Sequence, residues 1–380
     1  MKAHYNIIIA GAGGIAEAAA LILAEWSTIS PTIYLGNRTL EKAQKVAQWI
    51  QQGSTKSCTV IPFLMDANAI TDEMKEIFEK SDALLDCLPG SLAPKMAQFA
   101  NDYGLFYANL TEYVAETEQI QELAKNSNTG FVLQTGLAPG YINVLANHLF
   151  QEFCKDFEVN TVSVLEFKVG ALTMNAVAPH FYGFTWSPIG VATEYIKDAI
   201  AIRNFEKVSL PSLSERASII IQGLPFEEDL TSGGAADLPD ALIGKVSSLD
   251  YKTLRHPGHY AWIEEQLKHT DPKKDPIAVL QQQMETEIPH IEDDQVVLYA
   301  AVEGKDSSGS LRRREITKTI YPQKVGHHQL RAIQTTTAVP LIQSIQWLLE
   351  KRPKGITLQS TLPTSEFLNG DYIIPVYGKV

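Results

Sequence analysis

The sequence predicts an α/β fold: a doubly wound parallel sheet near the amino terminus, followed by a second α+β domain with a mostly antiparallel sheet. Three observations predict it. Short apolar runs alternate with helix-period segments through about residue 134. A glycine-rich turn sits where the first apolar run meets its helix. Beyond Val159 the pattern changes to long alternating runs separated by irregular stretches. These breaks divide the chain into residues 1–155, 156–330 and 331–380.

Residues 6–10 are a continuous apolar run, as in a strand buried on both faces. The glycine turn and a helix to Trp26 follow. Residues 32–36 read as the second strand. Residues 39–50 read as a helix capped by Thr39, with Glu41 and Lys42 in its first turn. Strands are expected at 58–64, 83–87, 105–109 and 131–134, with helices at 73–80 and 92–101; Pro89 and Gly90 break the fourth strand. This spacing implies right-handed crossovers and a sheet covered on both faces. Around Gly136 the rhythm changes, and Pro139 fits the start of an apolar helix ending near Phe150. Residues 296–302 and 313–320 flank a polar, glycine-containing turn at 305–309 and read as a β-hairpin. Residues 335–349 are apolar at helical spacing, until Pro353 and Gly355 interrupt.

Composition narrows the function. A formal net charge of −12 argues against a nucleic-acid or anionic-membrane partner. Cys58, Cys87 and Cys154 are odd in number and widely spaced, which points to a reducing, cytoplasmic setting without disulfides. Residues 7–24 are apolar enough to imitate a signal peptide or a marginal membrane span. Glu17 and the glycines at 11, 13 and 14 argue against both. The pairs His327/His328 and His256/His259 lack a carboxylate or cysteine at ligand spacing, so no metal is expected.

The turn carries the chemistry. Gly11, Ala12, Gly13, Gly14, Ile15 and Ala16 fit G-x-G-x-x-G/A in its required context, after a buried strand and at the start of a helix. Gly11 permits the tight turn, Gly13 lets the backbone approach a pyrophosphate, and Ala16 allows close helix–strand packing. The helix amino terminus then offers free N–H groups to phosphates. This is a Rossmann-type dinucleotide site. An acidic residue closing the second strand would indicate NAD. Asn37 and Arg38 stand there instead, so NADP is the expected cofactor and NAD the alternative. Asp66 is placed either to meet an adenine amino group or to serve as an ordinary loop residue. Leu88 and Pro89, at the carboxyl end of the fourth strand, belong beside the cofactor.

The chain resembles the saccharopine dehydrogenase family, which includes saccharopine reductases and lysine 6-dehydrogenases. The resemblance rests on the glycine turn, on Gly136-Leu-Ala-Pro-Gly140 with Asn143, and on Val169-Gly-Ala-Leu172. It rests further on the stretch 179–188 with Glu194 and Tyr195, and on Tyr251-Lys-Thr-Leu-Arg-His-Pro-Gly-His259. It implies an inserted catalytic domain, a carboxyl-terminal segment rejoining the Rossmann domain, and hydride transfer at the C–N bond of an amino-acid substrate. It also implies a homodimer. Trp186 and Ser187 match a cofactor-facing stretch of the family, and Thr253 and Leu254 match substrate-binding positions. The chain departs from saccharopine reductases at Ala138, at His256, and at Glu112-Tyr113, where those enzymes carry a Ser-Tyr substrate pair. Arg255 is the expected anchor for the substrate carboxylate, since a guanidinium fork binds carboxylates bidentately. Lys168, Glu112, Tyr182 and His259 are candidates for proton transfer; for Lys168, burial beside a cation would lower its pKa. Two other readings stay open: an imine-forming reductase of the carboxynorspermidine type, and a non-catalytic dinucleotide sensor.

Overall fold

The structure, a computed structural model, describes residues 4–28, 31–268 and 274–380. The chain forms two compact units. The first is Met1–Tyr141 with Gln323–Leu330 and Gln334–Val380; the second is Ile142–Pro322 with Arg331–Ile333.

The amino-terminal third runs β1 (Asn6–Ala10), α1 (Gly14–Trp26), β2 (Thr32–Asn37), α2 (Leu40–Gly53), β3 (Thr59–Leu64), α3 (Asp72–Lys80), β4 (Ala83–Asp86), α4 (Ala93–Asp102), β5 (Phe106–Asn109), α5 (Val114–Ala124) and β6 (Gly130–Val132). The middle follows with α6 (Tyr141–Asp156), β7 (Val162–Thr173), α7 (Pro188–Ile196), β8 (Ala199–Arg203), β9 (Glu206–Leu210), β10 (Ala217–Ile221), β11 (Leu224–Leu230), α8 (Leu238–Leu242), β12 (Val246–Arg255), α9 (His259–Lys268), α10 (Pro276–Glu287), β13 (Asp294–Lys305) and β14 (Leu311–Ile320). The chain ends with β15 (Gln323–Val325), β16 (His328–Leu330), α11 (Ala332–Lys351), β17 (Gly355–Thr357), α12 (Thr364–Leu368) and α13 (Ile374–Tyr377).

The first unit is a seven-stranded sheet in the order β17-β6-β5-β4-β1-β2-β3, and every pairing is parallel. The order reverses between β1 and β4, the topological switch point at whose carboxyl edge ligands of such sheets bind. Continuous apolar runs fit here because β1 and β4 are covered on both faces. Helix α1 is alanine-rich and buried without a break from Ala18 to Ala24, so it lies close against its surroundings.

Three details depart from the sequence expectations. Thr39 occupies the cap position of α2, but its side chain makes no capping bond. The sixth strand stops at Val132 rather than Gln134, whose φ of 60° leaves the extended region. The interrupted stretch after Pro353 supplies a seventh strand, β17, beside β6.

In the second unit the sheet order is β10-β11-β12-β7-β13-β14, with the β8–β9 hairpin attached to β12. Its pairings are antiparallel except for β12 and β7, which run parallel. The hairpin read around residues 305–309 is the β13–β14 pair. Gln222, between β10 and β11, exchanges hydrogen bonds with Thr317 and Thr319 of β14, so the sheet curls until its two ends meet. One apolar cluster joins Leu172, Leu254, Val297 and Phe226. Another joins α7, α9 and α10 through Val191, Tyr195, Tyr260, Trp262 and Leu280.

Candidate functional site

In the first unit the glycine turn is built by removing side chains. Gly11 has φ of 112°, a conformation that L side chains rarely adopt. A Cβ there would also stand 3.1 Å from the Cys87 carbonyl oxygen, so β1 and β4 meet at this glycine. At Gly13 a Cβ would have no neighbour within 4 Å. The space in front of the amino terminus of α1 is therefore open, and no side chain caps it. Ala12 and Ala16 are buried beneath the turn, and Gly14 and Ile15 begin the helix. An open cradle lined by backbone N–H groups fits the phosphates of a dinucleotide. Gln334 of α11 holds the turn from below, donating from Nε2 to the Gly14 carbonyl at 2.9 Å and to Glu17 Oε1 at 3.1 Å. No local pattern around Gly14 announces this support, which comes from more than three hundred positions along the chain.

Around the turn stand the carboxyl ends of β2, β3, β4 and β5. Asn37 is buried and donates through Nδ2 to the Thr39 carbonyl, while Arg38 is exposed. The exposed Asp66 accepts the Asn68 N–H on Oδ1, a local turn bond. Leu88 is half-buried and Pro89 exposed, and the Leu88 N–H donates to Asp86 Oδ1 at 3.0 Å. Gly90 lies against Thr111 and the Tyr113 ring, which brings Tyr113 beside the turn after β4. Glu112 is half-buried next to it.

In the second unit Arg255 ends β12 only 1% exposed. Its Nε donates to the Tyr195 hydroxyl at 2.6 Å, and one terminal nitrogen donates to the Leu254 carbonyl at 3.0 Å. The guanidinium lies over the rings of Tyr182 and Tyr195, and Glu194 Oε2 is 3.8 Å away. Burial opposes this charge, but the surrounding tyrosines and Glu194 outweigh it, so the pKa lies above that of an ordinary arginine. Among the described residues the other donors of the fork make no hydrogen bond.

His259, fully buried, completes the cluster. Its Nδ1 lies 2.7 Å from the His180 carbonyl oxygen, which can only accept. Nδ1 therefore carries the proton. Burial, and next the Arg255 charge, hold the imidazole well below its usual pKa, so it is neutral. Its Nε2 must then accept, and the Tyr195 hydroxyl 3.0 Å away must donate. One directed chain results: Arg255 to Tyr195 to His259, with His259 tied to the backbone. The Tyr182 hydroxyl is buried beside it; burial raises its pKa, while Arg255 and the neighbouring Trp186 and Thr185 side chains pull it partly back.

Lys168 requires a correction. Burial does oppose its charge, but Glu166 at 2.7 Å and Glu228 at 3.0 Å outweigh it, so its pKa is raised rather than lowered. It pairs with Lys252 across β7 and β12, and side chains alternate along strands, so it faces away from Arg255. A lysine locked between two carboxylates is a structural cation. Leu254 belongs to the apolar cluster, and the Thr253 hydroxyl lies 2.6 Å from that of Thr231. Trp186 packs on Gly190, and the Ser187 hydroxyl caps α7 by accepting the Gly190 N–H. Tyr195 and His180, which position Arg255 and His259, were not among the predicted site residues. Asp86 was not either, although a carboxylate inside the apolar run 83–87 marked it.

Among the described residues no group of three or more His, Cys, Asp or Glu could hold a metal ion, and no helix is long and apolar enough to cross a membrane.

Two family models match the chain. Residues 7–132 match the saccharopine dehydrogenase NADP binding domain, and residues 136–369 match the saccharopine dehydrogenase C-terminal domain. Saccharopine dehydrogenase (L-Glu forming) from Saccharomyces cerevisiae shares the fold with a TM-score of 0.75 at 15% identity, over 98% of each chain. Homospermidine synthase from Legionella pneumophila, solved with NAD, has a TM-score of 0.68 at 15% identity, over 99% of this chain and 90% of that one. The chain belongs to the saccharopine dehydrogenase family.

Proposed function

We propose that the chain is an NAD(P)-dependent oxidoreductase acting at the C–N bond of an amino acid, of lysine 6-dehydrogenase or saccharopine dehydrogenase type. The observation that carries this reading is the Arg255 cluster: a buried guanidinium, fixed through Nε by Tyr195 and His259, with Glu194 3.8 Å from its other terminal nitrogen. Such a group is preorganised for a carboxylate. Tyr182, its ring under the guanidinium and its hydroxyl buried, supplies a second polar contact for an amino-acid head.

The first unit holds the dinucleotide through the backbone of Gly11 to Ile15, with Leu88 and Pro89 beside it. When bound, the nicotinamide accepts or donates the hydride at the substrate carbon. Arg38, exposed where β2 ends, favours the 2′-phosphate of NADP. His259 is not the proton carrier in this reading, because both ring nitrogens are committed; Tyr182 and Glu112 remain the candidates.

The test is a screen of lysine, saccharopine and related diamino acids, with aldehyde–amine pairs in the reductive direction, against both cofactors. Formation or loss of reduced nicotinamide is followed by absorbance. Turnover of an α-amino acid, faster with NADP than with NAD, is expected. Dinucleotide binding with no turnover of any amine donor or imine would instead support a sensor.

A further inference from the structure

Arg255 is not the only charge in its cluster. Glu194 and Tyr195 are neighbours on α7, and both reach the guanidinium: Tyr195 at Nε, and Glu194 at a terminal nitrogen 3.8 Å from its Oε2. That spacing allows an ion pair but is too long for a hydrogen bond. The end of α7 is held from the loop after β11, where the Ser232 N–H donates to the Glu194 carbonyl at 3.0 Å and Ser232 Oγ to the Thr193 carbonyl at 3.3 Å. The Arg255 side chain is 2% exposed and that of Glu194 12%, so the acid is the more accessible of the two.

Four tyrosines wall the pair. The guanidinium lies over Tyr182 and Tyr195, Tyr260 packs edge-on against Tyr195, and Tyr251 shares the Arg255 face of β12. Burial pushes all four phenols up, so they stay neutral, and each feels Arg255 and Glu194 with opposite sign. Arg216, 5.3 Å from the Tyr260 ring centre, is matched by its own partners, Asp229 at 3.5 Å and Glu264 at 2.6 Å. Arg255 and Glu194 therefore form a buried pair whose charges cancel.

Such a pair sets a condition on its ligand. A carboxylate arriving alone at Arg255 puts two anions against one cation, and a charge left uncompensated in a buried site is costly. An amine arriving alone at Glu194 makes the converse error. A head group with both charges on one carbon meets both side chains and keeps the sum at zero. We propose that Glu194 is a specificity-determining residue that holds the α-ammonium of an amino-acid head while Arg255 holds its carboxylate, so that the site rejects bare carboxylates and bare amines. Selectivity of this kind comes from the charge that the wrong ligand leaves unpaired. The proposal rests on the reading of Arg255 as the carboxylate anchor.

The experiment measures Kd by calorimetry on the full chain in the presence of NADPH, which cannot oxidise the ligands. L-lysine is compared with ε-aminocaproate and cadaverine, and L-glutamate with glutarate and γ-aminobutyrate. In each set the second compound lacks the α-ammonium and the third the α-carboxylate. In at least one set the amino acid is expected to bind about tenfold or more tightly than either truncated form. Glu194→Gln keeps the shape and removes the charge. It should weaken that amino acid about tenfold, while the form without the α-ammonium binds no less tightly, because the second anion is gone; lost packing would weaken both. A truncated form that matches the amino acid in the unaltered chain, or a variant that weakens the two together, overturns the proposal. Should the variant fail to fold, the ranking in the unaltered chain decides alone. Failure of both amino acids to bind overturns it too; if the screen also yields no turnover of any amino acid, the reading of Arg255 falls with it.

Discussion

The two candidate sites are made by opposite means. In the first unit the glycine turn works because side chains are missing: Gly11 takes a left-handed φ against β4, and Gly13 leaves the helix terminus open. In the second unit every working part is a side chain. Arg255 comes from β12, Tyr195 from α7 and His259 from α9, with the His180 carbonyl fixing the tautomer. A backbone cradle is a local property of a few consecutive residues. A side-chain cluster is a property of packing between distant ones. The two sites should therefore fail differently when altered, and that difference can be tested.

The largest effect is expected at Arg255. Arg255→Ala removes the proposed carboxylate anchor and leaves Tyr195 and Glu194 facing a cavity. Losing the guanidinium that would pair with the substrate carboxylate costs several kcal/mol, so turnover should fall about 10³-fold, while the dinucleotide Kd should move less than about twofold. Arg255→Lys keeps the charge but loses the Nε bond to Tyr195 and the planar fork, so it should restore little. Steady-state kinetics with the substrate found in the screen, alongside calorimetry with NADPH, provides the check. Turnover retained in the alanine variant would remove Arg255 from the site.

The glycine pair separates stability from binding within one turn. Gly11→Ala places a Cβ in a left-handed conformation, 3.1 Å from the Cys87 carbonyl oxygen. Strain of this kind costs about 1–3 kcal/mol, to be read as a lowered Tm. Gly13→Ala adds a Cβ that touches nothing, on a backbone with φ of −94° that alanine accepts. Its Tm should change little, yet dinucleotide affinity should drop about tenfold or more, because the new methyl occupies the approach of the pyrophosphate. Equal losses of Tm in both variants would show that the open space at Gly13 is not a ligand cradle.

The same contrast explains what the sequence could show. The order of strands and helices in the first unit was legible because each strand is a continuous apolar run. The glycine turn was legible because Gly11 takes a φ that side chains rarely adopt, Ala16 is small enough to pack beneath the turn, and Gly13 leaves the helix terminus open. The seventh strand was not, because Gly355, Ile356 and Thr357 are too short to carry a period and form a strand only by pairing with β6. In the second unit Arg255 could be singled out by its chemistry, but its partners could not. Nothing local in Glu194 and Tyr195 says that one hydroxyl will bridge a guanidinium and an imidazole from two other elements. Lys168 shows the limit most plainly. Its burial was foreseen, but the sign of its pKa shift depends on Glu228, sixty positions away, and a sequence does not report that proximity.

The smallest effect is a pH slope, and here the two units should pull against each other. His259 is held neutral, its folded pKa lying well below the ordinary 6.5. Its contribution to stability is thus full above that ordinary value and is lost as pH falls and the unfolded chain takes up the proton. Asp86 has the opposite sign: its folded pKa of about 6 exceeds 3.8, so its burial costs nothing at low pH and destabilises as pH rises through 6. Each proton contributes at most about 1.4 kcal/mol per pH unit. Between about pH 4 and 6, where both groups differ in protonation between the folded and unfolded chain, the two slopes partly cancel in the unaltered chain. His259→Gln, a neutral side chain that can donate and accept, should leave only the Asp86 slope, with Tm falling as pH rises. Asp86→Asn should leave only the His259 slope, with Tm rising. Scanning calorimetry of both variants decides the matter. Two parallel slopes of the same sign would mean that at least one buried group carries the charge assigned here to the other protonation state.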